Sequence, residues 1–346
     1  MRRLLLLALA ATLAGCQAGY YLHLASGHLS LMRQRTPVAE LLADAETPAA
    51  LRQRLARVNE MLAFAEQALA LPVDDAYRTF VALERGFVVW NLFAAPEFSL
   101  APVTWCYPVA GCTSYRGYFD IQRAERDAER LRAQGLDVYG GGAIAYSTLG
   151  WFSDPLTTPM LQGSEAEIAE LLFHELAHRR FYLKGDTRFN ESLATSVGRE
   201  GARRWLAQHG DPAAVQSLIA ADIARARVLA LVAQTRAQLA TLYAAAQGDE
   251  QQLRDGKAAA QAQLREAFEA AQQDDPQVAR YRHWFAGPLN NAQLATLNDY
   301  NGWVPAFDAV LLHCGGRWAC FWHATTELAA LPQAQRDAAL TEWMTP

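Results

Sequence analysis

The sequence predicts an α+β protein, mostly helical, with a small sheet and an Ala-rich helical hairpin, and three observations carry that prediction. Apolar residues recur at helical spacing through residues 48–71, 164–183 and 188–209. Aromatic and β-branched runs such as Phe87-Val88-Val89-Trp90 are confined to residues 77–119 and 138–149, and Pro96, Pro102 and Pro108 break the first of these into short strands and loops. Residues 212–275 are rich in alanine and charge with almost no aromatic side chains, the texture of two long helices. Composition narrows the class further. With 51% hydrophobic and 19% charged residues over 346 positions, the chain can build a core and is not a disordered one. Its net charge of −5, with no basic stripe, excludes a surface that would neutralise a nucleic-acid backbone.

Taken in order, Met1-Arg2-Arg3 opens the chain with positive charge. Residues 4–13 form an apolar run too short for a bilayer core of roughly 30 Å, and small residues follow. This is the layout of a signal peptide over residues 1–15, leaving a domain of residues 16–346 with the hairpin of 212–275 as an insertion. The junction Leu13-Ala14-Gly15-Cys16 resembles the bacterial lipobox. That resemblance implies cleavage before Cys16, lipid on Cys16, and membrane attachment through this N-terminal anchor. Gln17, where Asp would signal retention, implies an outer-membrane lipoprotein of the cell envelope facing the periplasm.

Residues 18–30 read as a tether followed by a short helix, and 48–71 as an amphipathic helix ending before Pro72. A charged helix over 120–134 is stopped by Gly135, and a strand over 138–149 is approached through Gly140-Gly141-Gly142. Ser164 and Glu167 have the spacing of a capping box, so a helix is expected over 165–183 with Gly185 as its stop. A second helix follows over 188–209, the hairpin turns near 248–256, and helices at 288–299 and 323–343 close the chain. Apart from Cys16, four cysteines remain: Cys106 with Cys112, and Cys314 with Cys320. An even number suits an oxidising compartment, and the equal short spacings favour the two local disulfides among the three possible connectivities. A four-cysteine zinc site fits less well, because five intervening residues exceed the usual two to four.

The chemistry lies in His174-Glu175-Leu176-Ala177-His178. Residues four apart share one helix face, so both imidazoles can reach one Zn²⁺ while Glu175 stands beside it. Zinc lowers the pKa of a water to about 7, and Glu175 is placed to take that proton as general base. A third ligand is offered by Glu191 in Asn190-Glu191-Ser192-Leu193-Ala194, because twelve residues after His178 suffice to end one helix and bring an antiparallel one past the metal. Glu200 is the alternative carboxylate, but it lies about 14 Å further along that helix.

Residues 174–198, HELAHRRFYLKGDTRFNESLATSVG, resemble the predicted aminopeptidases of Gram-negative bacteria, a gluzincin-like zinc peptidase family. Residues 146–156, 287–292 and 300–307 also look typical of that family, so the resemblance spans most of the chain after Cys16. It implies zinc as cofactor, a peptide as substrate and hydrolysis of peptide bonds. The chain departs from thermolysin-like enzymes in its shorter spacer before Glu191 and in having Thr195 where they have Asp.

The strand at 143–149, just before the metal helix, is placed as zincins place their edge strand, so Ala145 and Tyr146 are expected to bind an extended substrate. Asn290 and Asn291 are further substrate-binding candidates. For the oxyanion, Tyr182, Tyr281, His283 and Tyr300 are candidates, and Tyr300 is preferred because it resembles a recurrent family position. Trp284, Trp303, Trp318 and Trp322 can line a pocket or fill a core. An aminopeptidase also needs an acidic group for the substrate's ammonium, which Glu165, Glu167 or Asp154 could supply. The same metal set equally fits an endopeptidase or a peptidoglycan amidase, and a lipoprotein that only binds envelope partners is the non-enzymatic alternative. Oligomeric state is not legible.

Overall fold

A computed structural model describes residues 2–107, 111–146, 148, 152–210, 212–245 and 249–344; the side chains of residues 2–17 and 298–300 lie outside that description. Helix α1 (Arg2–Arg33) is one continuous rod where the sequence suggests a tether and a short helix. Gly27 sits in its interior at a cost of about 1 kcal/mol relative to alanine. The compensation is a close approach, since a Cβ there would fall 2.3 Å from the Phe119 ring. Strand β1 (Thr36–Pro37), α2 (Val38–Ala43) and α3 (Ala49–Leu69) follow, and α3 ends on Ala70 in the left-handed conformation.

The β region holds β2 (Thr79–Val81), β3 (Val89–Pro96), β4 (Trp105–Tyr107), β5 (Gly111–Thr113) and β6 (Tyr115–Tyr118). After α4 (Ile121–Ala133), capped by the Asp120 side chain on Gln122 N, come β7 (Leu136–Ala143) and β8 (Leu156–Thr157). Among the described residues the expected small sheet is three small sheets, ordered β1-β2-β8, β6-β3-β7 and β4-β5. In the second of these β7 is an edge strand, antiparallel to β3. Among the described residues its pairing reaches Ala143, opposite Val89 where the partner strand begins, and positions 147 and 149 of the expected strand lie outside the described residues.

Helix α5 (Glu165–Arg180) is opened by a complete capping box: Ser164 Oγ accepts from Glu167 N, and Glu167 Oε2 accepts from Ser164 N at 2.9 Å. Helix α6 (Thr187–His209) is capped by Asp186, which accepts from Phe189 N. The two helices meet at Gly198, where a Cβ would lie 2.6 Å from Glu170 O and 3.2 Å from His174 Cβ. Only glycine lets the backbones come this close.

Helices α7 (Pro212–Ala245) and α8 (Glu250–Asp274) form an antiparallel hairpin, with Arg227 bonded to Asp274 and Gln238 to Gln263. Gly256, expected in the turn, lies inside α8, because a Cβ there would collide with Leu242. The C-terminal part comprises α9 (Arg282–Phe285), α10 (Asn291–Asn301), α11 (Val304–His313), α12 (Trp318–Ala330) and α13 (Gln333–Trp343). The single helix expected over 323–343 is therefore two, broken where Pro332 holds Leu331 extended. The main core gathers Phe173, Trp205, Phe307 and Phe321 from α5, α6, α11 and α12, and a second cluster joins the hairpin to α9 and α10 through Phe268, Phe285 and Leu294. The architecture is α+β and dominated by helix.

Candidate active site

Two helices and the short connection between them place the chemistry. His174, Glu175 and His178 lie on α5, and the helix ends at Phe181, whose backbone is extended. The connection back to α6 turns at Gly185, which has a φ of 84°. Asn190 clamps that connection: its Oδ1 accepts from Leu183 N and its Nδ2 donates to Leu183 O, both at 2.7 Å. With the loop fixed, Glu191 at the start of the second turn of α6 is turned onto α5. The β4–β5 hairpin, joined by the Cys106–Cys112 disulfide, leans on the same loop; a Cβ on Gly111 would meet Gly185 N at 2.7 Å. Cys314 and Cys320 form the second disulfide, at the α11–α12 junction.

His174 Nε2, His178 Nε2 and Glu191 Oε2 converge. The two imidazole nitrogens are 3.2 Å apart, and the carboxylate oxygen is 3.3 Å from one and 3.5 Å from the other. Ligands at roughly 2.0–2.1 Å from a tetrahedral zinc are about 3.3–3.4 Å from each other. The trio therefore has the spacing of one face of such a tetrahedron, and these three groups can hold a single cation. Among the described residues His178 Nδ1 is buried with no hydrogen-bond partner.

The electrostatics match the geometry. Burial alone would raise the Glu191 pKa, but the two imidazoles outweigh it and hold it at about 2. Burial opposes charging of His178, yet Glu191 and Glu175 beside it pull its pKa above the ordinary imidazole value. Glu175, 9% exposed, is pushed above the usual carboxylate range by burial, against the pull of both histidines. A buried carboxylate with a raised pKa beside a candidate metal trio has the properties of a general base.

These residues share one cavity of about 1200 Å³ that runs between the β6-β3-β7 sheet and the α5–α6 pair and reaches the hairpin helix α7. Ala145 and Tyr146 line it beyond the end of β7, and Tyr146 packs on Phe119. Asn290 and Asn291 have other work. Asn290 Nδ2 donates to Val138 O, Asn291 N donates to Asp137, and the buried Asn291 amide donates to Pro96 O and Glu97 O. They tie α10 to the start of β7, and neither is among the cavity-lining residues. The backbone of Tyr300 lies in α10, while its side chain falls outside the described residues, as does that of Cys16. Of the other oxyanion candidates, Tyr182 and Tyr281 line the cavity and His283 does not. Trp284 also lines it, whereas Trp303, Trp318 and Trp322 belong to the main core.

Glu200, the alternative ligand, pairs with Arg203 and Arg204 instead. Tyr115 on β6 escaped the sequence reading. It lines the cavity opposite α5, its ring tilted against Phe93, and burial together with Glu191, Tyr182 and Glu175 drives its pKa up. Nothing in the local pattern Thr113-Ser114-Tyr115 signals this, because the approach to the trio is made by the tertiary packing of the sheet.

A His/His/Glu trio beside a buried carboxylate, in a peptide-sized cavity, is a donor set suited to a metal-assisted hydrolase. Residues 19–340 match the family described as "Putative aminopeptidase", and the chain belongs to that family. The family name denotes a peptidase. No curated protein and no solved structure matches the chain.

Proposed function

We propose that the protein is a zinc-dependent peptidase with a zincin-like site, its metal held by His174, His178 and Glu191. The observation that carries the reading is the spacing of the three ligand atoms, 3.2, 3.3 and 3.5 Å, with Glu175 buried next to them. A bound Zn²⁺ would supply a Lewis acid and make a water nucleophilic at neutral pH. Glu175 takes the proton of the attacking water and passes it to the leaving amine. The outer edge of β7 beyond Val138, carried on by Ala145 and Tyr146, offers backbone groups to an extended peptide. The Tyr115 and Tyr182 phenols, on the cavity wall and electrostatically coupled to Glu191, are uncharged donors for the carbonyl oxygen as it gains charge. The test is hydrolysis of a mixed peptide library by the purified chain. Activity is expected to disappear on chelation and return with zinc, and a rate indifferent to chelation overturns the reading.

The proposal extends to location: the chain is held at the envelope membrane by lipid on Cys16. Helix α1 supports it, because Cys16 lies about one turn before Tyr20, whose ring is in the cavity wall, so an anchor there would place the cavity close to the bilayer. Labelling cells with a palmitate analogue should mark the wild type and not Cys16→Ser; equal labelling of both excludes this anchor.

A further inference from the structure

Away from the metal trio, the cavity ends in charge. Along α5 the same face carries Glu170 one turn before His174, and opposite it α6 carries Arg199, next to the close-packed Gly198. The acids here are already committed. Glu170 receives a two-pronged contact from Arg225 on α7, at 2.9 and 3.1 Å, and Glu167 bonds Arg280 and the N-cap Ser164. Asp222 is 3.5 Å from Arg203, and Asp308 accepts from Ser196 Oγ at 2.5 Å. Of the acids suggested for a substrate ammonium, Asp154 is buried under two bonds from Thr148, and Glu165 is held by Arg57 and Trp205. Among the described lining residues, every carboxylate thus belongs to the trio, to Glu175 or to an ion pair.

Among the described residues Arg199 is the least compensated member. Its one close partner there is a neutral amide, Asn301 Oδ1, at 2.6 Å. Its Nε is buried with no hydrogen bond, and the nearest described carboxylate oxygen, on Glu170, is 3.8 Å away and already held by Arg225. Burial, and then Arg225 beside it, depress its pKa to about 10 against the pull of Glu170, Asp222 and Asp308. A guanidinium with a spare donor in a cavity wall is a receptor for a planar anion.

We propose that Arg199 forms a carboxylate-binding subsite, so that the substrates are short peptides presenting a carboxylate two or three residues beyond the bond that is cut. The length follows from the scaffold. One helical turn, about 6 Å, separates Glu170 from His174. The guanidinium is 3.8 Å from the Glu170 carboxylate, so it stands about that one turn from the trio, and an extended peptide advances about 3.3 Å per residue. The carboxylate can be a chain terminus or an Asp or Glu side chain.

This inference rests on the peptidase reading only for the word substrate, and the experiment separates the two. Tri- to pentapeptides are compared as free acids, as C-terminal amides, and as amides carrying Asp or Glu at the last position. Both cleavage and calorimetric binding are measured on the full chain. The free acid is expected to bind about 10- to 100-fold better than the amide, the range of a hydrogen bond to a charged group. Arg199→Gln should collapse that ratio and Arg199→Lys should keep part of it. Recovery by the Asp or Glu amides assigns the side chain as source, and failure to recover assigns the terminus. Equal treatment of acid and amide by the wild type overturns the subsite even if peptides are cleaved. Preferential binding of the acid without any cleavage keeps the subsite and removes the peptidase reading.

Discussion

Glu175→Gln is expected to lower peptide hydrolysis by about 10²- to 10⁴-fold, the usual contribution of a general base, while leaving the fold and the zinc content unchanged. The two side chains have nearly the same shape, and the three candidate ligands are other residues. The carboxylate is 9% exposed, so in its ionised form it stands in a poorly solvated place. Replacing it by a neutral amide removes that cost, and the variant should be at least as stable at neutral pH. The direction of the pKa shift makes a second, independent forecast. A base works only when deprotonated, and burial raises the Glu175 pKa above 4.5. The acid limb of kcat/KM in the wild type should therefore report this carboxylate, with activity lost as pH falls through its titration and bound zinc pulling that limb down from its metal-free position. Thermal unfolding, elemental analysis and a pH profile check the three statements separately. A variant that cleaves at the wild-type rate removes Glu175 from the mechanism.

What the sequence reveals about this site depends on how far apart the cooperating residues are. His174, Glu175 and His178 are legible because helical periodicity alone puts residues four apart on one face, and the capping box at Ser164 announces the helix that carries them. Glu191 is one step harder. It requires that Gly185 turn the chain, and the structure adds what the pattern does not state, that Asn190 pins the turn by bonding both backbone groups of Leu183. Asn290 and Asn291 show the opposite case. Asparagines after a proline look available for a ligand, but here they bond the backbone of β3, β7 and the residues beside them, which only tertiary pairing decides. Tyr115 and Arg199 are invisible for the same reason, since neither has a local spacing to His174. Among the elements, breaks set by backbone chemistry are read less well than periodicity. Pro332 splits the last helix, whereas Gly256, a turn signal by type, is absorbed into α8 because Leu242 needs its missing Cβ.

The metal assignment has the sharper test. Glu191→Ala is expected to abolish stoichiometric zinc binding, and with it hydrolysis, whereas Glu200→Ala should leave both at wild-type levels. Both glutamates lie on α6, within nine residues of each other, and both are carboxylates that a sequence could offer as third ligand. Their surroundings differ in kind. Glu191 is 6% exposed, and its oxygen lies 3.3 and 3.5 Å from two imidazole nitrogens, which hold its pKa at about 2 and so keep it ionised. Glu200 points away, into Arg203 and Arg204, and its charge is spent there. Removing Glu191 leaves two neutral donors, and a two-histidine face binds zinc far more weakly than a three-ligand site. It also deprives the buried His178 of its counter-charge, so the empty site should tolerate the loss poorly unless His178 stays neutral. Elemental analysis of both variants, with unfolding curves to confirm that each is folded, decides the matter. Undiminished zinc in a folded Glu191→Ala rejects the ligand set, and zinc lost instead in Glu200→Ala would move the third ligand two turns along the helix.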